Sequence, residues 1–222
     1  IDGANQYFSR AFDFGFSKST DEALGFWGKE LILSDMVYVI RKLRPDIIFT
    51  RFPPDARAGH GHHSASAVLA IEAFKAAADP NRFPEQLKLV EPWQPKRQFF
   101  NTSWWFYGSK EKFDAADKTN LFSIQTGVYY PTIGKSNQEI AALSRSRHQS
   151  QGFGSTGTRG EESEYLEFIN GKPLQDKVDI FEGIDTSWNR IKGGKPVGEL
   201  MTKIASEFAF ANPSASIQDL AK

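Results

Sequence analysis

The feature that most restricts the fold is a short apolar run closed on both sides by proline. In "RPDIIFTRFPPD", Pro45 stops the preceding element, Ile47 to Phe49 form a compact β-favouring run, and Pro53 and Pro54 end it. Such a run reads as a buried strand, expected to sit centrally in a parallel sheet. Parallel neighbours need a crossover, and a helix pattern follows at once. The Ala-rich "HHSASAVLAIEAFKAAA" puts Ala67, Ala70, Ile71 and Phe74 on one helical face. Upstream, Ser19 to Glu22 has the Ser-x-x-Glu form of a capping box. It precedes "ALGFWGKELILSDMVYVIRKL", where Leu24, Trp27, Leu31 and Phe26, Leu33, Val37, Ile40 recur at helical spacing. One long helix ending near Leu43 is expected. The order helix, strand, loop, helix indicates an α/β layer fold.

Farther along, "QFFNTSWWFY" and "FSIQTGVYYPTI" read as strands, and "NQEIAALSRSR" as a short helix. The segment from Asp79 to Lys96 reads as a loop-rich crossover, "GFGSTGTRG" as a flexible glycine-rich loop, and Glu164 to Ala211 as short helices and turns. The expected division is a main α/β domain over residues 1–160 and a mixed helical, turn-rich extension over 161–222. Lys+Arg and Asp+Glu both total 27, so no global field draws the chain to nucleic acid or an acidic membrane. No apolar run reaches the roughly 18 residues of a membrane span. Cysteine is absent, so any metal ligands are imidazole and oxygen, and the cellular compartment stays open.

Three of the four histidines fall within "HGHH", His60 to His63, where the strand gives way to the helix. On a helix, residues three apart share a face, whereas residues two apart point about 200° apart. His60 and His63 are therefore expected to converge and His62 to stand aside. The carboxyl end of a parallel strand is where open α/β sheets bind ligands, and the helix amino terminus adds partial positive charge. Two imidazoles do not make a catalytic zinc site, which takes three protein ligands and a water. Polar loop residues capping a helix are the alternative account.

The stretch "RPDIIFTRFPPDARAGHGHHSASAVLAIEAF", Arg44 to Phe74, resembles the second conserved block of the zinc-dependent PIG-L or LmbE-like N-acetylglucosaminyl deacetylases. "NQEIAALSRSRHQSQGFG" and "FEGIDTSWNRIKGG" also look like the larger bacterial members, so the likeness extends over most of the chain. The resemblance implies a Rossmann-like α/β fold and zinc as cofactor. It implies that His63 is a zinc ligand and that His60 stabilises the oxyanion or protonates the leaving amine. The substrate implied is a small N-acetylated sugar or glycoconjugate. His62 stands where the family commonly has Asp.

The family's other ligands and its general base come from an amino-terminal His-Pro-Asp-Asp motif, which this sequence does not contain. The aromatic-rich opening "IDGANQYFSRAFDFGFSKS", without Met or charged leader, suits a chain that starts inside a larger product. The expectation is a fragment lacking the first strands and the complete site, inactive by itself, which self-associates or retains the missing segment. Two rival functions stay open: a carbohydrate-binding or scaffold module of the same fold, and a metal-dependent hydrolase of another amide or ester.

Smaller candidates surround the histidines. Arg51, Asp55 and Arg57 flank the expected pocket and could contact substrate, with a surface Pro-Pro-Asp turn and structural arginines as alternatives. His148, before the glycine-rich loop, is a further substrate-contact candidate or a helix-end histidine bonded to backbone. That loop lacks the Gly-x-Gly-x-x-Gly spacing and the Lys-Ser/Thr ending of nucleotide loops. Among Trp104, Trp105, Phe106 and Tyr107, at most one ring is expected to be left by core packing for stacking on a sugar.

Overall fold

A computed structural model describes residues 3–177 and 179–221 of the chain. The contacts divide it into two units, Ile1–Pro173 and Leu174–Lys222.

In the first unit, α1 (Thr20–Trp27) begins at Ser19, whose side chain accepts the Glu22 N–H. The Glu22 carboxylate accepts from Lys18 rather than from the cap residue, so the box is displaced by one residue. The expected single helix is two. Gly28, at φ 73°, ends α1 with its N–H on the Leu24 carbonyl, and α2 (Lys29–Leu43) starts directly after it. That conformation is open to glycine and strained for other residues, so the chain turns where the apolar periodicity runs on. Helix α2 buries Ile32, Leu33, Val37 and Ile40 and closes at Arg44, in the left-handed region before Pro45.

Strand β1 (Ile47–Thr50) pairs in parallel with β2 (Arg97–Thr102), and α3 (Gly61–Ala76) makes the crossover between them. Leu69, Ala73, Ala76 and Ala77 meet the buried face of α2, and the alanines let the helices approach closely. After β2 come α4 (Lys110–Ala115), β3 (Leu121–Gln125), β4 (Tyr129–Tyr130), β5 (Lys135–Ser136), α5 (Asn137–Arg145) and β6 (Ser163–Gly171). Strands β4 and β5 form a small separate pair.

The main sheet runs β1-β2-β6-β3, with β6 antiparallel to both neighbours. The molecule is thus an open, mixed four-stranded sheet flanked by helices, and the expected parallel arrangement holds only for β1 and β2. Among the described residues β1 is an edge strand, not a central one. An inner position belongs to β2, where consecutive Phe99 and Phe100 point to opposite faces and both are fully buried.

Strand β6 was hidden in the sequence because Glu164, Glu167 and Asn170 interrupt its apolar residues. It lies between β2 and β3, within the first unit, which runs to Pro173. The second unit contains α6 (Lys195–Glu207) and the short α7 (Ile217–Leu220). Gly194 and Gly198 bring α6 onto the turn at Trp188; a Cβ on Gly198 would stand 2.8 Å from the Trp188 Cβ. No described helix is long and apolar enough to cross a membrane.

Candidate active site

Beyond β1 the chain makes a short 3-10 turn, Ala56–Ala58, capped by Asp55, and Gly59 at φ 70° reverses it. His60 is extended, φ −150°, and precedes α3. The first turn of α3 is clamped to the segment before α1. The Gly61 N–H donates to the Ser17 carbonyl, and Thr20 and Ser64 share a hydrogen bond of 2.6 Å. A Cβ on Gly61 would lie 2.2 Å from the Ser19 carbonyl oxygen, so the glycine is what permits this approach.

The three imidazoles gather around that clamp. The His60 ring centroid is 4.7 Å from that of His62 and 5.1 Å from that of His63. The exclusion of His62 assumed helical geometry from residue 60 onward. Because His60 is extended, the two-residue offset does not turn the rings apart.

Ser17, fully buried, organises the group. Its Oγ accepts the His62 backbone N–H at 2.8 Å and bonds the His62 Nδ1 at 2.5 Å and the His60 Nδ1 at 3.3 Å. The Ser17 N–H reaches the His60 Nε2 at 3.4 Å. One hydroxyl donor and two acceptor lone pairs satisfy this pattern in a single way. His60 accepts at Nε2 and donates from Nδ1, and Ser17 donates to His62 Nδ1. The proton of His62 then sits on Nε2, which is buried without a partner. Phe14 stacks on His62 at 4.3 Å, Trp27 meets its edge at 5.0 Å, and Phe16 meets His60 at 4.8 Å. Burial, followed by the charges of His62 and His63, holds His60 below the ordinary imidazole range against the pull of Asp13.

His63 is arranged differently. Its ring lies flat on Phe52, centroids 3.6 Å apart and planes 7° apart. Its Nδ1 is 3.2 Å from the Ala58 carbonyl oxygen, which only a ring N–H can satisfy. In the neutral ring this leaves the lone pair on Nε2. A backbone carbonyl on the far nitrogen is the usual orienting partner of a metal-bound histidine.

The remaining candidates are committed elsewhere. Arg51 donates to the backbone and side-chain oxygens of Asn101 at 3.1 and 2.8 Å. Asp55 is paired with Arg57, both carboxylate oxygens receiving guanidinium N–H groups. The Arg57 hydrogen bonds hold its carboxyl below the usual range against burial. Arg57 also faces Glu167 of β6 at 3.6 Å. Burial and then Glu167 push the neighbouring Tyr107 phenol up. His148 is exposed in the turn after α5, where its carbonyl accepts the Gly152 N–H, and no ring contact or hydrogen bond ties its side chain to the cluster.

Zinc asks for three protein ligands. Among the described residues no group of three His, Cys, Asp or Glu side chains could hold a metal. His63 presents one suitable nitrogen, His60 and His62 are engaged with Ser17, and the nearby carboxylate, Asp55, is held by Arg57. These residues do not by themselves fit a zinc set. Ser17, Phe14 and Phe52 were missed from the sequence because they act through position; the one available signal was a glycine between two histidines at a helix start. No protein-family model and no curated protein matches this chain.

Proposed function

We propose that this chain is part of a zinc-dependent hydrolase that removes an N-acetyl group from a small glucosamine-containing substrate. The reading rests on the resemblance of Arg44 to Phe74 and on one observation, the orientation of His63. With Nδ1–H on the Ala58 carbonyl, Nε2 is a pre-aligned donor at the carboxyl end of β1, beside the amino terminus of α3. Among the described residues no group of three ligands accompanies it.

The chain's own contribution is placement. His60 is kept neutral by burial and by its neighbours, so its ring acts as an N–H donor toward a developing oxyanion. Its bonds to Ser17, at 3.3 and 3.4 Å, are long, and a substrate oxygen competes with them. Arg51, Asp55 and Arg57, which follow β1 in the chain, are the substrate contacts this reading proposes. In the protein as it occurs in its cell, supplied with zinc, acetate release from N-acetylglucosamine conjugates is expected, and His63→Ala abolishes it. No acetate from any N-acetylated sugar tested overturns the reading.

A second reading is a carbohydrate-binding module without chemistry, favoured by the half-exposed Trp104 and Trp105 on the turn after β2. It requires sugar binding that His63→Ala leaves intact and that needs no metal.

A further inference from the structure

The aromatic run after β2 divides sharply. Phe106 is buried, packed edge-on to Phe100 at 4.9 Å and to Phe52 at 6.3 Å. Trp104 and Trp105, in contrast, are 52% and 57% exposed, so two rings rather than one stand outside the core. Neither indole N–H has a hydrogen-bond partner among the described residues. The turn Trp104–Tyr107 is held between Ser103 and Gly108, the latter at φ 85°, and Trp105 rests edge-on against Phe106 at 4.9 Å. Two large rings are thus presented to solvent from a braced turn, which lowers the ordering cost of binding.

The surroundings select the ligand. Phe106 links the turn that carries the indoles through Phe52 to His63. Tyr107, the last residue of the turn, faces Arg57 and Glu167, and Arg57 is paired with Asp55. One cation among two carboxylates and a phenol offers donors and acceptors together without net positive charge. That arrangement suits hydroxyl groups, which both donate and accept, and it repels phosphate. Flat apolar faces flanked by such groups match a pyranose ring, whose C–H face packs on aromatic carbon while its hydroxyls point to the rim.

We propose that Trp104 and Trp105, on the turn after β2, form a carbohydrate platform that seats a pyranose of an N-acetylated oligosaccharide. This rests on the proposed sugar substrate and names the surface that holds it. The test is calorimetric titration of the full chain with N,N′,N″-triacetylchitotriose in EDTA. Saturable binding is expected. Trp104→Ala/Trp105→Ala should weaken it about tenfold or more, while Trp104→Phe/Trp105→Phe, which keeps a ring, stays within about threefold. Circular dichroism of each variant controls for folding. No binding by the parent chain, or equal binding by the folded double-alanine variant, overturns the platform. Metal-free, tryptophan-dependent binding without acetate release on zinc loading would leave the platform standing and remove the deacetylase. Acetate release with tryptophan-independent binding would do the reverse.

Discussion

Arg41 is the least expected residue of the core, and its replacement tests the packing account most directly. It sits on the buried face of α2 at 1% exposure and, among the described residues, has no carboxylate partner within hydrogen-bonding distance. Instead its guanidinium donates to the carbonyls of Ala76, Ala77, Asp79, Arg82 and Phe83 and to the side-chain oxygen of Gln86. These gather at the carboxyl end of α3, where backbone oxygens lack helical partners and the dipole favours a cation.

In Arg41→Met an unbranched apolar stem is kept and the six bonds are lost. Four of the carbonyls retain a second bond, to the N–H of Asp79, Trp93, Arg82 and Gln86 respectively. The Arg82 carbonyl and the Gln86 side-chain oxygen are left with nothing. Two orphaned acceptors at about 1–3 kcal/mol each, offset by the recovered desolvation of a buried cation, leave a loss of about 2–4 kcal/mol. Urea denaturation followed by circular dichroism measures this as a lower midpoint at unchanged slope. A loss under about 0.5 kcal/mol would refute the reasoning, since desolvation of the charge would then outweigh the carbonyl cage.

Three further outcomes are expected. Gly61→Ala puts a Cβ 2.2 Å from the Ser19 carbonyl oxygen and should separate α3 from the Ser17 segment. The measurement is a melting temperature together with imidazole NMR shifts, and unchanged shifts for His60 and His62 would contradict the clamp. Glu139, capping α5 and bonded to Arg159 and then to the Ser136 N–H, is lowered to about 2. Its native value lies below its unfolded one, so its contribution is present above the unfolded value and is lost as pH falls through about 2. Carboxyl NMR titration should show Glu139 ionised at pH 3.5, and Arg159→Gln should move its midpoint upward. Strand β1 has one ladder partner among the described residues, and a groove of about 370 Å³ lined by Ile48, Met36, Leu69 and Tyr7 runs beside it. Self-association or capture of a further strand is therefore expected in sedimentation; a clean monomer at high concentration would count against it.

The parts of this fold legible in the sequence are those written in local chemistry. Proline on both sides of Ile47 to Phe49 marked β1, and the alanine face marked α3. Two kinds of information were not local. Gly28 interrupts an apolar period that continues across it, so a break in backbone handedness was invisible to a pattern of side chains. Strand β6 owes its place to pairing with β2 and β3, and its glutamates disguise that. The site divides in the same way. His60 and His63 stood out by residue type and spacing, whereas the Ser17 hydroxyl that orders two of the rings lies 43 residues from His60 in the chain.

That separation has a consequence for how the site is maintained. His60, His62 and the start of α3 are positioned by Ser17 and Phe14, which precede α1, while His63 is positioned by Phe52 and Ala58, which follow β1. The first set depends on a segment with no regular secondary structure, tied down by Arg10 on Asp35 and by the Trp27 indole N–H on the Phe12 carbonyl. The second set belongs to the strand-to-helix connection itself. Loosening the amino-terminal segment, as in Arg10→Ala, should therefore disturb His60 and His62 and leave His63 on its carbonyl. Because the proposed ligand nitrogen belongs to His63, such a variant keeps the orientation of that nitrogen while losing the imidazole beside it. Under the proposed function, zinc affinity then stays near its original value as turnover falls, and a parallel loss of both would mean that the three histidines move as one body.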